Sequence, residues 1–240
     1  MRKSTVQTKQ DAAGSYEIEV FDAPNPKGIL VCSHGNGVRR WDGEKFFYQL
    51  AEQYSEYVCM LVDQNQVLED GCKLNDLSIM VERVQSLIAL AKQSYPNVPV
   101  IVVGHSMGCG VASHLKLDDV DKVIFVAPAA GNATNKLIER FGPEVANGMM
   151  TKSSDGLSKL ISKEYFSSVD GIVWEDEYRK MLARYPEVYV FASGAEEIVG
   201  EERLAHRDMG FKQYTVILDA THNYSGEASK KLFAQMDKLV

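Results

Sequence analysis

The sequence lacks a hydrophobic run of the length that a membrane-spanning helix needs, roughly 20 residues. Its first residues, MRKSTVQTKQDAAG, also lack the apolar segment on which a secretory signal peptide depends. These two absences predict a cytoplasmic protein that has no stable association with a membrane.

Cysteine is scarce as well, since the 240 residues include four, at positions 32, 59, 72 and 109. No two of them have the spacing of metal ligands, and three lie in or beside apolar runs. We therefore expect buried free thiols in a reducing compartment rather than disulfides. Neither a metal ion nor another cofactor is expected.

Basic residues are in the minority: 26 Lys and Arg against 33 Asp and Glu give a net charge of −7. This balance argues against nucleic acid or an anionic membrane as a main partner. No linker rich in glycine or proline divides the chain, which predicts a single domain over residues 1–240. No segment indicates an oligomer interface, so the oligomeric state is left open.

What the sequence does contain is a regular alternation of strand and helix patterns. Runs typical of strands occur at residues 16–21, 28–33, 57–62, 98–103, 122–127, 189–193 and 215–218. Between them apolar residues recur every three or four positions, most clearly from Leu74 to Ala91. This alternation predicts an α/β fold, a mostly parallel sheet with helices on both faces and residues 16–21 at its edge.

One segment interrupts the alternation. About fifty residues, 129–180, separate two strands that should be neighbours, and we call this segment the insertion. It contains helical patterns at residues 136–140, 157–166 and 176–185. An insertion of this length is usually a lid or a functional loop, so we predict a small helical cap.

The pentapeptide Gly104-His105-Ser106-Met107-Gly108 lies between a predicted strand and a predicted helix. A Gly-x-Ser-x-Gly turn in that setting exposes the serine hydroxyl at the end of a sheet. Glycines flank the serine because side chains there would clash where the chain reverses so sharply. Ser106 is therefore a candidate nucleophile.

Other polar groups follow the remaining strands. After 28–33 comes His34-Gly35-Asn36-Gly37, after 189–193 comes Gly194-Ala195-Glu196-Glu197, and after 215–218 comes Asp219-Ala220-Thr221-His222. Ligands of parallel sheets bind beyond the carboxyl ends of the strands. Serine, carboxylate and histidine thus occur in the chain order of the α/β-hydrolase triad.

With these motifs the chain resembles the α/β-hydrolase family, in particular its small serine hydrolases of the lipase, esterase and serine aminopeptidase type. The resemblance implies that Ser106 is the nucleophile and His222 the general base. The Gly-x-x-acid spacing of the family implies Glu197 as the carboxylate that orients His222. Its neighbour Glu196 remains the alternative.

An acyl-transfer site also needs donors for the oxyanion of the tetrahedral intermediate. The backbone N–H after the nucleophile, that of Met107, is one such donor. The resemblance implies that the backbone N–H of Asn36 is the other, with Gly37 as second choice.

These residues predict a serine hydrolase that cleaves an ester-like acyl bond of a small or medium substrate through an acyl-enzyme. The same groups would serve amide or thioester hydrolysis. A non-catalytic ligand-binding sensor on a hydrolase scaffold is the alternative from another class, because fold does not imply function.

Overall fold

The computed structural model describes residues 2–41, 45–152 and 156–240. Its strands are β1 Thr5–Asp11, β2 Gly14–Phe21, β3 Ile29–Ser33, β4 Val58–Val62, β5 Gln66–Leu68, β6 Gly71–Lys73, β7 Val100–His105, β8 Lys122–Val126, β9 Met149–Lys152, β10 Ser158–Ile161, β11 Val188–Ser193 and β12 Gln213–Ile217. Its α-helices are α1 Phe46–Gln53, α2 Leu77–Ser94, α3 Met107–Ser113, α4 Ala133–Phe141, α5 Lys163–Ser168, α6 Trp174–Arg184 and α7 Glu227–Met236. Two 3-10 helices span Pro143–Asn147 and Gly200–Asp208.

Eight of the strands form one sheet in the order β1-β2-β4-β3-β7-β8-β11-β12. The pairs β1–β2 and β2–β4 are antiparallel, and the pairs from β4 to β12 are parallel. The prediction of a mostly parallel α/β sheet is confirmed. The central strands read as continuous apolar runs because both of their faces are buried, as in the fully buried β3.

Two layers of helices bury the two faces of this sheet. Ile29 and Val31 of β3 point toward the layer that contains α2, α3 and α6, whereas Leu30 and Cys32 point toward α1 and α7. Side chains of a strand alternate between faces, so one short apolar run supplies both cores. The four cysteines, all within the described residues, are free and buried, as predicted.

The prediction that residues 16–21 form the edge strand is wrong, because β1 lies outside β2 and occupies that edge. Six of the seven residues of β1 are exposed and most are polar, so no apolar pattern marks it as a strand. Strands β1 and β2 form a hairpin, and an ion pair joins it to helix α2: Arg83 Nε lies 2.7 Å from Asp11 Oδ2.

The predicted helical cap contains α4, α5 and the start of α6, but it also contains two strands that were not predicted. Its strands β9 and β10 join β5 and β6 in a second sheet, of order β5-β6-β10-β9. The segment 157–166 was expected to be helical, yet its first half is β10, which pairs in parallel with β6 and antiparallel with β9. Pairing with distant strands thus overrides the local helical pattern.

No described helix is both long enough and apolar enough to cross a membrane.

Candidate active site

Ser106 lies at a sharp turn between β7 and α3, at the carboxyl end of the sheet. Its φ of 55° and ψ of −121° are rare for a residue with a side chain, and such backbone strain is concentrated at functional sites. A Cβ on Gly108 would come within 1.9 Å of the Ser33 carbonyl oxygen, and one on Gly104 within 2.9 Å of the Gly108 carbonyl oxygen. The flanking glycines are therefore required by close backbone approach.

Ser106 opens onto a cavity of about 610 Å³. Its walls come from the turn after β3, the insertion and the loops after β11 and β12. The apolar part of the lining includes Phe46, Phe47, Leu137, Phe141 and Trp174. His222 lines the same cavity, so the structure brings the expected nucleophile and the expected base to one site.

His222 is 3% exposed and is held from three sides. Its Nδ1 lies 2.8 and 3.0 Å from the two carboxylate oxygens of Glu196. Its backbone N–H donates to Glu197 Oε2 over 3.0 Å, and its carbonyl oxygen lies 2.9 Å from His105 Nε2. The carbonyl can only accept, so His105 donates through Nε2.

This geometry places the carboxylate of Glu196, rather than that of the expected Glu197, beside the imidazole of His222. Glu197 is exposed, lines the cavity and accepts the backbone N–H of His222, whereas the side chain of Glu196 is 2% exposed and faces the imidazole. Glu196 turns inward because it also closes the following turn, where its Oε1 accepts the backbone N–H groups of Ile198 and Val199 over 2.9 Å each.

The Glu196 carboxylate is buried, which by itself would raise its pKa. Its hydrogen bond to His222, the charge of that ring and the hydroxyl of Ser193 outweigh burial and lower the pKa of Glu196 to about 2. The group therefore stays ionised throughout the neutral range, as a carboxylate that orients an imidazole must.

This lowered pKa predicts an acid-dependent contribution to stability. Above the unfolded-state pKa of about 4.3 the Glu196 carboxylate stabilises the fold in full, by at most about 3 kcal/mol, and this contribution is lost as the pH falls toward 2. Urea unfolding at pH 7, 5, 4 and 3 measures the free energy of unfolding of wild type and of Glu196→Gln. The difference between these two free energies should become smaller below about pH 4.3. A difference that stays constant to pH 3 would contradict this, and the exposed Glu227→Gln is the control.

His105 is a buried imidazole in direct contact with the His222 loop. Burial, and then the charge of His222, lower the pKa of His105 to about 3. A neutral His105 donates one hydrogen bond to the His222 carbonyl and fixes the backbone of that loop. This contact agrees with a structural rather than a catalytic role for His105.

The turn Gly35-Asn36-Gly37 packs against the serine. A Cβ placed on Gly35 would lie 3.4 Å from Ser106 Cβ. Asn36 and Met107, the two expected oxyanion donors, both line the cavity. Gln64 braces the turn from behind, because its backbone N–H donates to His34 Nε2 over 3.1 Å and its side-chain amide donates to the His34 carbonyl over 3.0 Å.

Two residues of the insertion also contact this turn, and neither was predicted to do so. The Asn36 side-chain Nδ2 donates to the Tyr165 hydroxyl over 3.1 Å, and Lys159 Nζ donates to the Asn36 carbonyl over 3.2 Å. Both contacts join residues more than 120 positions apart, so no local sequence signal could have revealed them.

Comparison with solved structures shows the same fold at low sequence identity. A soluble variant of monoglyceride lipase from Saccharomyces cerevisiae aligns with a TM-score of 0.73 and 14% identity, over 100% of this chain and 94% of that one. The α/β hydrolase GrgF from Penicillium sp. sh18 aligns at 0.72 and 13%, over 98% and 97%. A carboxyl esterase from Bacillus coagulans aligns at 0.69 and 14%, over 98% of each chain.

Comparison of sequences is more specific. A monoacylglycerol lipase from Mycolicibacterium smegmatis is 29% identical over 101 residues, which cover 40% of this chain and 34% of that protein. The family described as serine aminopeptidase, S33, matches residues 24–191, more than half of the chain. These residues include the Ser106 turn and the insertion. The chain therefore belongs to the serine aminopeptidase S33 family of α/β-hydrolases.

Proposed function

We propose that the protein is a serine hydrolase that cleaves an ester-like acyl bond of a small or medium substrate. The observation that carries the proposal is the buried contact between His222 Nδ1 and the Glu196 carboxylate, together with the cavity that His222 and Ser106 both line. A serine is a weak nucleophile until a base accepts its proton, and that base needs a carboxylate to hold the correct tautomer.

In the proposed reaction, His222 Nε2 accepts the proton of Ser106 as Oγ attacks the carbonyl carbon. The carbonyl oxygen becomes an oxyanion, which accepts the backbone N–H groups of Met107 and Asn36. Collapse of this intermediate breaks the ester bond, and the departing alcohol takes the proton from His222. Water then attacks the acyl-enzyme by the same route, and its proton returns to Ser106 when the acid leaves.

Among the residues that the structure describes, no hydrogen bond joins Ser106 Oγ to His222. Catalytic hydrogen bonds of free enzymes are often long and tighten only in the complex with substrate. Rotation of the serine hydroxyl toward Nε2 is thus part of the proposed first step.

Two measurements test the proposal. A fluorophosphonate probe should label wild type at Ser106, located by mass spectrometry of the peptide. A panel of p-nitrophenyl esters of increasing chain length, aminoacyl amides and acyl-CoA thioesters should show the highest kcat/KM for an ester. A folded protein that is neither labelled nor active would instead support the ligand-binding sensor. If the highest kcat/KM belonged to an amide or a thioester, the same site would be assigned to the hydrolysis of that bond.

A further inference from the structure

Asn36 lies between two glycines, Gly35 and Gly37, the second of which has a positive φ of 65°. Glycine restricts the backbone less than any other residue, so the flanking residues give Asn36 little conformational restraint. An oxyanion donor must nevertheless be aimed before the reaction begins, because reorientation during the reaction would cost rate. The restraint on Asn36 must therefore come from outside its own turn.

The insertion supplies that restraint at two points. Tyr165 of α5 accepts the hydrogen bond of the Asn36 side chain, and Lys159 of β10 donates to the Asn36 main-chain carbonyl. The other side-chain atom of Asn36, the buried Oδ1, has no hydrogen-bond partner among the described residues. The Tyr165 hydroxyl is thus the one described group that holds the Asn36 amide.

The same hydroxyl reaches the second expected donor. Tyr165 is 2% exposed, and its oxygen lies 3.9 Å from the sulfur of Met107, toward which it donates. One phenol therefore contacts the side chains of both residues whose backbone N–H groups would face the oxyanion. Burial raises the pKa of Tyr165 well above its usual value, so the hydroxyl keeps its proton.

Tyr165 is itself firmly anchored. Ser162 caps the N-terminus of α5: its hydroxyl accepts the Tyr165 backbone N–H over 3.1 Å and donates to the Leu74 carbonyl over 3.2 Å. At the other end of the helix, Ser168 accepts the backbone N–H of Leu77, the first residue of α2, over 3.0 Å. These bonds tie α5 to the body of the domain at both of its ends.

We infer that Tyr165 is a positioning residue, which holds Asn36 and Met107 in the geometry that stabilises the oxyanion. The inference rests on the proposed function and adds to it a role for the insertion beyond enclosing substrate. Tyr165 also lines the cavity, but the role inferred for its hydroxyl is to act on the reaction through the two donors.

The test is Tyr165→Phe, assayed with p-nitrophenyl butyrate. Loss of a whole oxyanion donor lowers kcat by about 10²–10³-fold, and a donor that is present but misaimed should cost less, about tenfold. KM should change less than about threefold, because the ground-state carbonyl gains little from the donors. Affinity for an alkyl trifluoromethyl ketone, whose adduct with Ser106 carries the same oxyanion, should weaken by about the same factor as kcat.

The matched control is Tyr54→Phe. Tyr54 is also buried and its hydroxyl donates to the Phe233 carbonyl over 3.1 Å, but it packs with α1 and α7, away from the insertion. Both variants should lose similar thermal stability, and only Tyr165→Phe should lose kcat. Equal kcat in the two variants would overturn the inference while leaving the proposed function intact, whereas an inactive wild type would refute the proposed function.

A second variant keeps the inference testable if Tyr165→Phe fails to fold. Asn36→Ala keeps the backbone N–H but removes the amide that Tyr165 holds, and it should show the same selective loss of kcat. Where both single variants fold, adding Tyr165→Phe to Asn36→Ala should lower kcat less than about threefold further, since both changes remove one interaction. An unchanged kcat in Asn36→Ala, or independent losses in the double variant, would contradict the inference.

Discussion

Replacing Ser106 with alanine is expected to lower kcat for a p-nitrophenyl ester by roughly 10⁴–10⁶-fold, the range seen when a serine nucleophile is removed. Alanine cannot form the acyl-enzyme, whereas the cavity, His222 and the oxyanion donors would remain. Any residual rate would come from binding and the oxyanion hole alone. The measurement is kcat for purified variant and wild type, together with labelling by the fluorophosphonate probe, which should disappear.

Ser113→Ala is the control for this experiment. Ser113 lies in α3, the helix that follows the Ser106 turn, and its buried hydroxyl donates to the Gly110 carbonyl over 2.6 Å. Its replacement should lower stability by about 1 kcal/mol and leave kcat within about threefold of wild type. Turnover retained by Ser106→Ala would place the nucleophile elsewhere.

The second large effect separates two neighbouring glutamates. Glu196→Gln should lower kcat by about 10⁴-fold, because glutamine neither stabilises the imidazolium nor selects the tautomer that leaves Nε2 free to accept a proton. Glu197→Gln, which makes the same change one residue later, should alter kcat less than about fivefold, since the Glu197 carboxylate accepts the backbone N–H of His222, a bond that a glutamine oxygen can also accept. The two variants are compared by kcat at pH 7.5 and by urea unfolding.

A large loss in Glu197→Gln with little effect in Glu196→Gln would restore the family spacing and refute the geometry around Nδ1. Similar small effects in both would mean that neither carboxylate orients the base.

The sequence was informative wherever burial imposes a pattern. Buried strands such as β3 and β7 are continuous apolar runs, and the glycines of the Ser106 turn follow from the approach of neighbouring backbone. β1 escaped prediction because its residues are exposed and mostly polar. Short strands such as β10 escaped because pairing with distant segments, rather than local periodicity, determines their conformation.

The choice between Glu196 and Glu197 shows a second reason why the site could not be predicted fully from the sequence. Successive residues of a loop point in different directions, and the loop after β11 is placed by long-range bonds from Gly194 N–H to the Ile217 carbonyl and from Ala195 N–H to the Ala220 carbonyl, each 2.9 Å. Glu196 then turns inward to meet the hydroxyl of Ser193 and the backbone of Val199. Spacing along the chain carries no information about that direction.

The positive φ of Ser106 has a consequence for how this chain can change over evolutionary time. A side chain at that φ costs the fold about 1–3 kcal/mol, a cost that glycine would largely remove. Selection for stability alone would thus favour the loss of the hydroxyl, and only selection for chemistry would keep it. At position 106, the stability of the fold favours glycine, whereas activity requires serine.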